Sequence, residues 1–98
     1  MIQNAGTQLI TADGVVGAAG VAVRIFAIHV ISGGGGAAVP ALRSGSVIGG
    51  TIWIKETGTT GTGKTFSYGL QGVHFPNGCF VDVDANTTSV AVTYCYGS

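Results

Sequence analysis

The sequence predicts an all-β fold, a single compact β-sandwich or jelly roll of about seven to eight short antiparallel strands spanning residues 1–98. Three observations predict it. Val, Ile and Thr total 31 residues while Leu, Met, Glu, Gln, Lys and Arg total 12, and β-branched side chains lose rotamer freedom in helices but pack well on a pleated sheet. Eighteen glycines spread along the chain make long helices unfavourable. The apolar runs are short and are punctuated by Gly, Asn, Asp and Pro, as strands separated by turns would be.

In chain order, residues 1–6 read as a flexible N-terminal arm, and Thr7 to Ala12 as a short strand closed by Asp13-Gly14. Val21 to Ile31 follows, with Val21, Val23, Ile25, Ala27 and Ile31 on one face and Phe26, Ile28 and Val30 on the other. Apolar residues on both faces predict a central, doubly covered strand. Gly33 to Gly36 is a break, and Ala37 to Arg43 reads as an edge strand because Pro40 cannot donate to a ladder. Ser46 to Glu56 is the next strand, bent at Gly49-Gly50, and after the loop Thr57 to Gly63 comes a strand from Lys64 to Leu70. Phe75-Pro76-Asn77-Gly78 suits a type I turn with a glycine bulge, which predicts a tight hairpin into Cys79.

Cys79 to Ala85 and Val90 to Tyr96 read as a final hairpin across Asn86-Thr87-Thr88-Ser89. A four-residue loop collects Cys79, Val81, Val83, Ala85, Val90, Val92, Tyr94 and Tyr96 on one face, with Phe80, Asp82, Asp84 and Cys95 on the other. Cys79 and Cys95 then lie on opposite sides of the sheet and stay reduced. A three-residue loop, the alternative, pairs them across the strands and mixes polar with apolar faces.

Charge narrows the function. Only 8 of 98 residues are charged and the net charge is zero, against roughly 25% charged residues in an average domain. A nucleic-acid binder needs a basic surplus to displace counterions, and a disordered chain needs low hydrophobicity with high net charge; neither description fits. Val15 to Ile31 is the most apolar stretch, but Arg24 and His29 sit near its middle, where a charge costs at least ~2.5 kcal/mol in a bilayer, so no membrane span is expected. The opening residues lack a basic region followed by an apolar core, and two unpaired cysteines agree with assembly in a cytoplasm without a signal peptide.

Four patterns invite chemistry and are outweighed. Gly58-Thr59-Thr60-Gly61-Thr62-Gly63-Lys64-Thr65 matches the phosphate-binding P-loop letter for letter. That loop must open a helix, yet Thr65-Phe66-Ser67-Tyr68 alternates like a strand. Asp82-Val83-Asp84-Ala85-Asn86 imitates three calcium ligands, but the later positions hold Thr87 and Thr93 where Gly and Glu belong. His29 and His74 lack further ligands at metal-binding spacing, and Asn86-Thr87-Thr88 is a glycosylation sequon without meaning inside a cell. No serine, histidine and acid grouping stands out, so no enzyme, metal or cofactor is expected.

The run Gly72-Val73-His74-Phe75-Pro76-Asn77-Gly78-Cys79-Phe80-Val81-Asp82-Val83-Asp84-Ala85-Asn86, with Val90-Ala91-Val92-Thr93-Tyr94, resembles the C-terminal half of small Gly- and Thr-rich structural proteins of tailed bacteriophages. The similarity extends over about Val21 to Tyr96. It implies a virion component, most simply a capsid decoration (cement) protein, and carries over no ligand-binding residues. Its expected partners are itself, as a homo-oligomer taken as a trimer, and other virion proteins such as a major capsid protein. The scarcity of charge supports the same expectation, since interfaces are depleted of charge and enriched in aromatics. Trp53, Phe80, Tyr94 and Tyr96 are the candidate subunit contacts. The alternative is a receptor- or glycan-binding module or another small neck, tail or fibre component, in which Trp53 with Lys55 and Glu56 would form the site.

Overall fold

Apart from one hairpin within Ala41–Lys55, the strands among the described residues find their partners far away in sequence. The computed structural model describes residues 6–97, which form nine antiparallel strands in two sheets and no helix. The strands are β1 (Gly6–Ile10), β2 (Gly14–Val16), β3 (Val23–Ser32), β4 (Ala41–Ser44), β5 (Ile52–Lys55), β6 (Gly63–Ser67), β7 (Val73–Phe75), β8 (Cys79–Asp82) and β9 (Thr87–Tyr96). One sheet has the order β1-β9-β3-β6, with β7 continuing beside β3 below β6; the other has the order β2-β8-β4-β5.

Read by its pairings, the chain is a long antiparallel ribbon folded over on itself. The β4–β5 hairpin is the tip, and moving outward β3 pairs with β6 and β7, β2 with β8, and β1 with β9. The fold-over is held by β3 against β9 and β4 against β8. This is jelly-roll topology, with the strand opposite β3 split into two pieces around Tyr68–Gly72. Residues 1–5 of the expected N-terminal arm lie outside the described residues, whereas Gly6 already belongs to β1.

The inner faces of the two sheets bury Val16, Val23, Ile25, Ile28, Val30, Leu42, Ile54, Phe75, Cys79, Val81, Val90 and Val92. Here the doubly covered reading of β3 is corrected. A bulge at Phe26 puts one extra residue on β3 between the pairs Ile25–Tyr94 and Ala27–Thr93, and an extra residue reverses which parity faces inward. Val23 and Ile25 therefore share the core face with Ile28 and Val30, while His29 and Ile31 point out to solvent.

Other expectations change for related reasons. A strand the sequence did not suggest, β2, follows Asp13. β4 is a central strand rather than an edge, because buried Pro40 lies just ahead of it and leaves the ladder donors intact. The strand expected over Ser46 to Glu56 shrinks to Ile52–Lys55, since Ser46–Gly50 forms the hairpin tip. Phe75-Pro76-Asn77-Gly78 does make a turn, with Gly78 N donating to Phe75 O at 3.2 Å and Gly78 at φ 96°. The turn carries the chain from one sheet to the other and makes no hairpin.

The final hairpin is likewise corrected: β8 and β9 lie in different sheets and do not pair. Cys79 points into the core from one sheet, whereas Cys95, opposite Arg24, lies on the outer side of the other. Both are buried and free, and burial alone pushes the Cys79 thiol up to about 12. Each thiol is expected to resist a maleimide reagent in the native protein, and both to react on denaturation without prior reduction, as intact mass would record.

The ribbon tip is held by a close backbone approach. A Cβ on Gly50 would run into the Ser44 carbonyl oxygen, and Gly50 O accepts from Arg43 Nη1 at 2.9 Å. At Gly49 a Cβ would meet nothing within 4 Å. Gly50→Ala should thus cost about 1–3 kcal/mol in urea unfolding, with Gly49→Ala close to neutral; equal effects would contradict the tip geometry.

Candidate functional site: an aromatic seam beside an apolar hairpin tip

Loops gather at the two ends of the jelly roll, and at one end they are tied together by side chains that the sequence offered as ligands. Asp84 accepts from Val39 N at 3.0 Å, from Asn86 N at 3.4 Å and from the Thr87 hydroxyl. Asn86 Nδ2 donates to Ala37 O at 3.3 Å, and Gly33 N donates to Asn86 O at 2.9 Å. Asp82 is bound by Arg43, through Nε at 3.1 Å and Nη2 at 3.0 Å. Each of the three calcium-like side chains therefore serves a protein partner.

The P-loop match also ends in a strand, as its alternation predicted: Gly63, Lys64 and Thr65 open β6. Gly58 N donates to Ala38 O and Gly61 N to Gly33 O, so this loop is part of the same bonded end. His29 lies on the outer face, its Nδ1 2.7 Å from the Thr65 hydroxyl, and His74 pairs across from Arg24 on β3. Among the described residues no three metal-ligating side chains gather, no pocket opens, and no helix is long and apolar enough to cross a membrane.

What the surface does offer lies along the two open sides of the sandwich. On one side Gln8 links the edge strands, donating to Val15 O at 3.0 Å and accepting from Gly17 N at 2.8 Å. On the other, between β5 and β6, the closure is aromatic. Trp53 is the extra residue of a bulge on β5; its ring centroid lies 5.1 Å from that of buried Phe75, and the residue is 44% exposed. Three residues along, Glu56 accepts the Tyr68 hydroxyl at 2.8 Å. Beyond it Phe66 packs on the core edge with Lys64 Nζ 5.3 Å from its ring centroid. Burial, then the Glu56 hydrogen bond, then the carboxylate charge push the Tyr68 phenol well above its ordinary value, so the pair is a neutral phenol donating to a carboxylate.

The four candidate contact residues thus separate. Trp53 stands half-exposed in the seam, with Glu56; Lys55 faces the other way, opposite Ala41 on the outer face. Phe80 is half-buried on the outer face of its sheet beside Val15 and Arg43. Tyr94 and Tyr96 pack edge to face at 5.6 Å against the core, and Gly17 provides the space for the Tyr96 ring. Sequence reading missed Tyr68 as the partner of Glu56 and Phe66 as the partner of Lys64, although the alternation from Lys64 to Tyr68 already put the two rings on one face. It also missed the ribbon tip, where Val47 and Ile48 are exposed at 63% and 54%, and Leu70, held out at 96% exposure. Comparison with protein families, curated proteins and solved structures found no match for the chain.

The bonded loop end has a pH signature. Desolvation alone would raise the Asp84 carboxyl, but hydrogen bonds from Thr87, Val39 N and Asn86 N outweigh it and hold the group below its ordinary value. The stabilisation is therefore complete above the unfolded pKa, about 3.9, and is lost as pH falls through the lower folded value. Asp84→Asn should be less stable than wild type at pH 7, and the gap in urea midpoint should narrow steadily on going to pH 3.

Proposed function

We propose that this protein is a structural component of a tailed-phage virion, a decoration protein that stabilises the capsid shell by contacts with itself and with a major capsid protein. The observation that carries the reading is the combination of 8 charges in 98 residues with large apolar side chains presented on projecting turns, Val47 and Ile48 at the ribbon tip and Leu70 between β6 and β7. A surface designed to be soluble carries about 25–35% charged residues; one this neutral suits burial in an assembly.

Jelly rolls serve in viral capsids and also in lectins, so topology is an analogy that agrees with the reading and does not select it. The resemblance of Gly72–Tyr94 to small phage structural proteins points the same way. In this reading the tip, supported from below by Arg43 and Gly50, is the contact element, and Trp53 sits to one side of it. The protein is made in the host cytoplasm and resides in the virion.

The test is light scattering on the size-excluded protein together with co-sedimentation on capsids. The expected result is a discrete homo-oligomer that binds capsids, and Val47→Ser with Ile48→Ser together should shift it to monomer without lowering the thermal midpoint. A protein that stays monomeric at high concentration and does not sediment with capsids overturns the proposal.

A further inference from the structure

The β5–β6 seam carries more than is needed to close a core. An apolar side chain at Trp53 would cover Phe75 equally well, yet the residue is an indole left 44% exposed, on the same seam as a carboxylate held by Tyr68. We propose that this seam is a binding site for a neutral di- or oligosaccharide, with Trp53 as the stacking platform and Glu56 as the hydroxyl acceptor.

The order of groups along the seam supports a sugar. β3 sets the height of each residue on the β6–β7 side: Phe75 lies opposite Val23, Tyr68 bonds Phe26 O, Phe66 lies opposite Ile28 and Lys64 opposite Val30. On the β5 side Trp53 is level with Phe75, Glu56 with Tyr68, and Gly58 with Val30. The seam thus runs Trp53, Tyr68–Glu56, Phe66 and Lys64. Aromatic surface alternates with polar groups, as the apolar ring faces of a pyranose alternate with its hydroxyl edges. Trp53 and Glu56 are three residues apart, about 10 Å at a strand's rise of 3.3 Å per residue, a span that needs more than one sugar ring.

The polar groups are also prepared for neutral hydroxyls. Tyr68 occupies Glu56 Oε2 and so orients the carboxylate, while Oε1 accepts no hydrogen bond among the described residues. Lys64 at the far end balances that charge, leaving the seam neutral overall. A saccharide gains from fixed acceptors and donors beside an aromatic face, whereas an anionic polymer would need a surplus of cations. The site is an open surface, so affinity in the millimolar range is expected. The inference stands apart from the assembly reading, because the seam and the Val47–Ile48 tip involve different side chains.

Trp53 is the chain's one tryptophan, so its fluorescence reports the seam alone. Cellobiose, maltose and N,N′-diacetylchitobiose titrated into the full chain, with glycerol as control, should give a saturable change with at least one sugar. A glycan array then extends the panel. Glu56→Gln should weaken the response about tenfold, the loss of a hydrogen bond to a charged group, and Trp53→Ala should abolish binding in calorimetry. Trp53→Phe, which keeps a ring over Phe75, guards against an unfolded alanine variant and should retain weakened binding. The proposal is overturned if the array is blank and every sugar gives only the linear change seen with glycerol. It is equally overturned if binding survives unchanged in both Glu56→Gln and Trp53→Phe. Repeating the titration on the Val47→Ser, Ile48→Ser protein separates the two ideas, since sugar binding should persist there whatever the oligomeric state.

Discussion

The pairing of β3 with β9 is the constraint on which the rest of the structure depends. These are the two ten-residue strands, one from the first third of the chain and one from its end, and they run side by side over almost their full length. Without them the chain is a two-stranded ribbon with no interior. With them the ribbon doubles back, β8 comes beside β4 and the inner faces meet. The core then follows: Val23, Ile25, Ile28 and Val30 on one strand and Val90 and Val92 on the other supply much of the buried apolar surface, at roughly 25 cal/mol per Å² removed from water.

That pairing also explains why the bulge at Phe26 matters. A regular β3 would hold Val23 and Ile25 inward only by turning Ile28 and Val30 outward. The extra residue lets one long strand follow the twist of the sandwich and keep apolar side chains inward at both ends. It also divides the opposite edge, where β6 covers the upper part of β3 and β7 the lower, with Tyr68–Gly72 passing between them. Gly72 (φ 66°) sits where a Cβ would be 2.7 Å from Ile25 O, so the excursion returns to the sheet at a point only glycine fits. The aromatic seam is a result of the same division, since Tyr68 leaves the sheet edge at the height of Glu56.

Local features were legible in the sequence and distant pairings were not. The all-β class, the strand in the P-loop-like segment and the Phe75–Gly78 turn all rest on side-chain type and spacing within a few residues. The final hairpin failed because Cys79–Asp82 and Val90–Tyr96 have matching alternation and a short connection, which is what a hairpin requires; nothing local distinguishes that from a four-residue crossing between sheets. Asp84 makes the difference, and its partner Val39 lies 45 residues away. The bulge was hidden for a similar reason, since Val21 to Ile31 is apolar at both parities. Of the seam, Trp53 and Glu56 were readable as neighbours, whereas Tyr68 and Phe66 join them only once β6 lies over β5.

The folded ribbon has a further property. Every pairing joins one of the strands β1 to β4 to one of β5 to β9, and no two strands on the same side of the tip pair with each other. During synthesis the first half of the molecule therefore leaves the ribosome with four unmatched strands and waits for the second half to arrive. Such non-local topologies fold slowly and expose open strand edges meanwhile. The polypeptide behaves as two interlocking pieces that share a single thread, and neither piece has a sheet of its own.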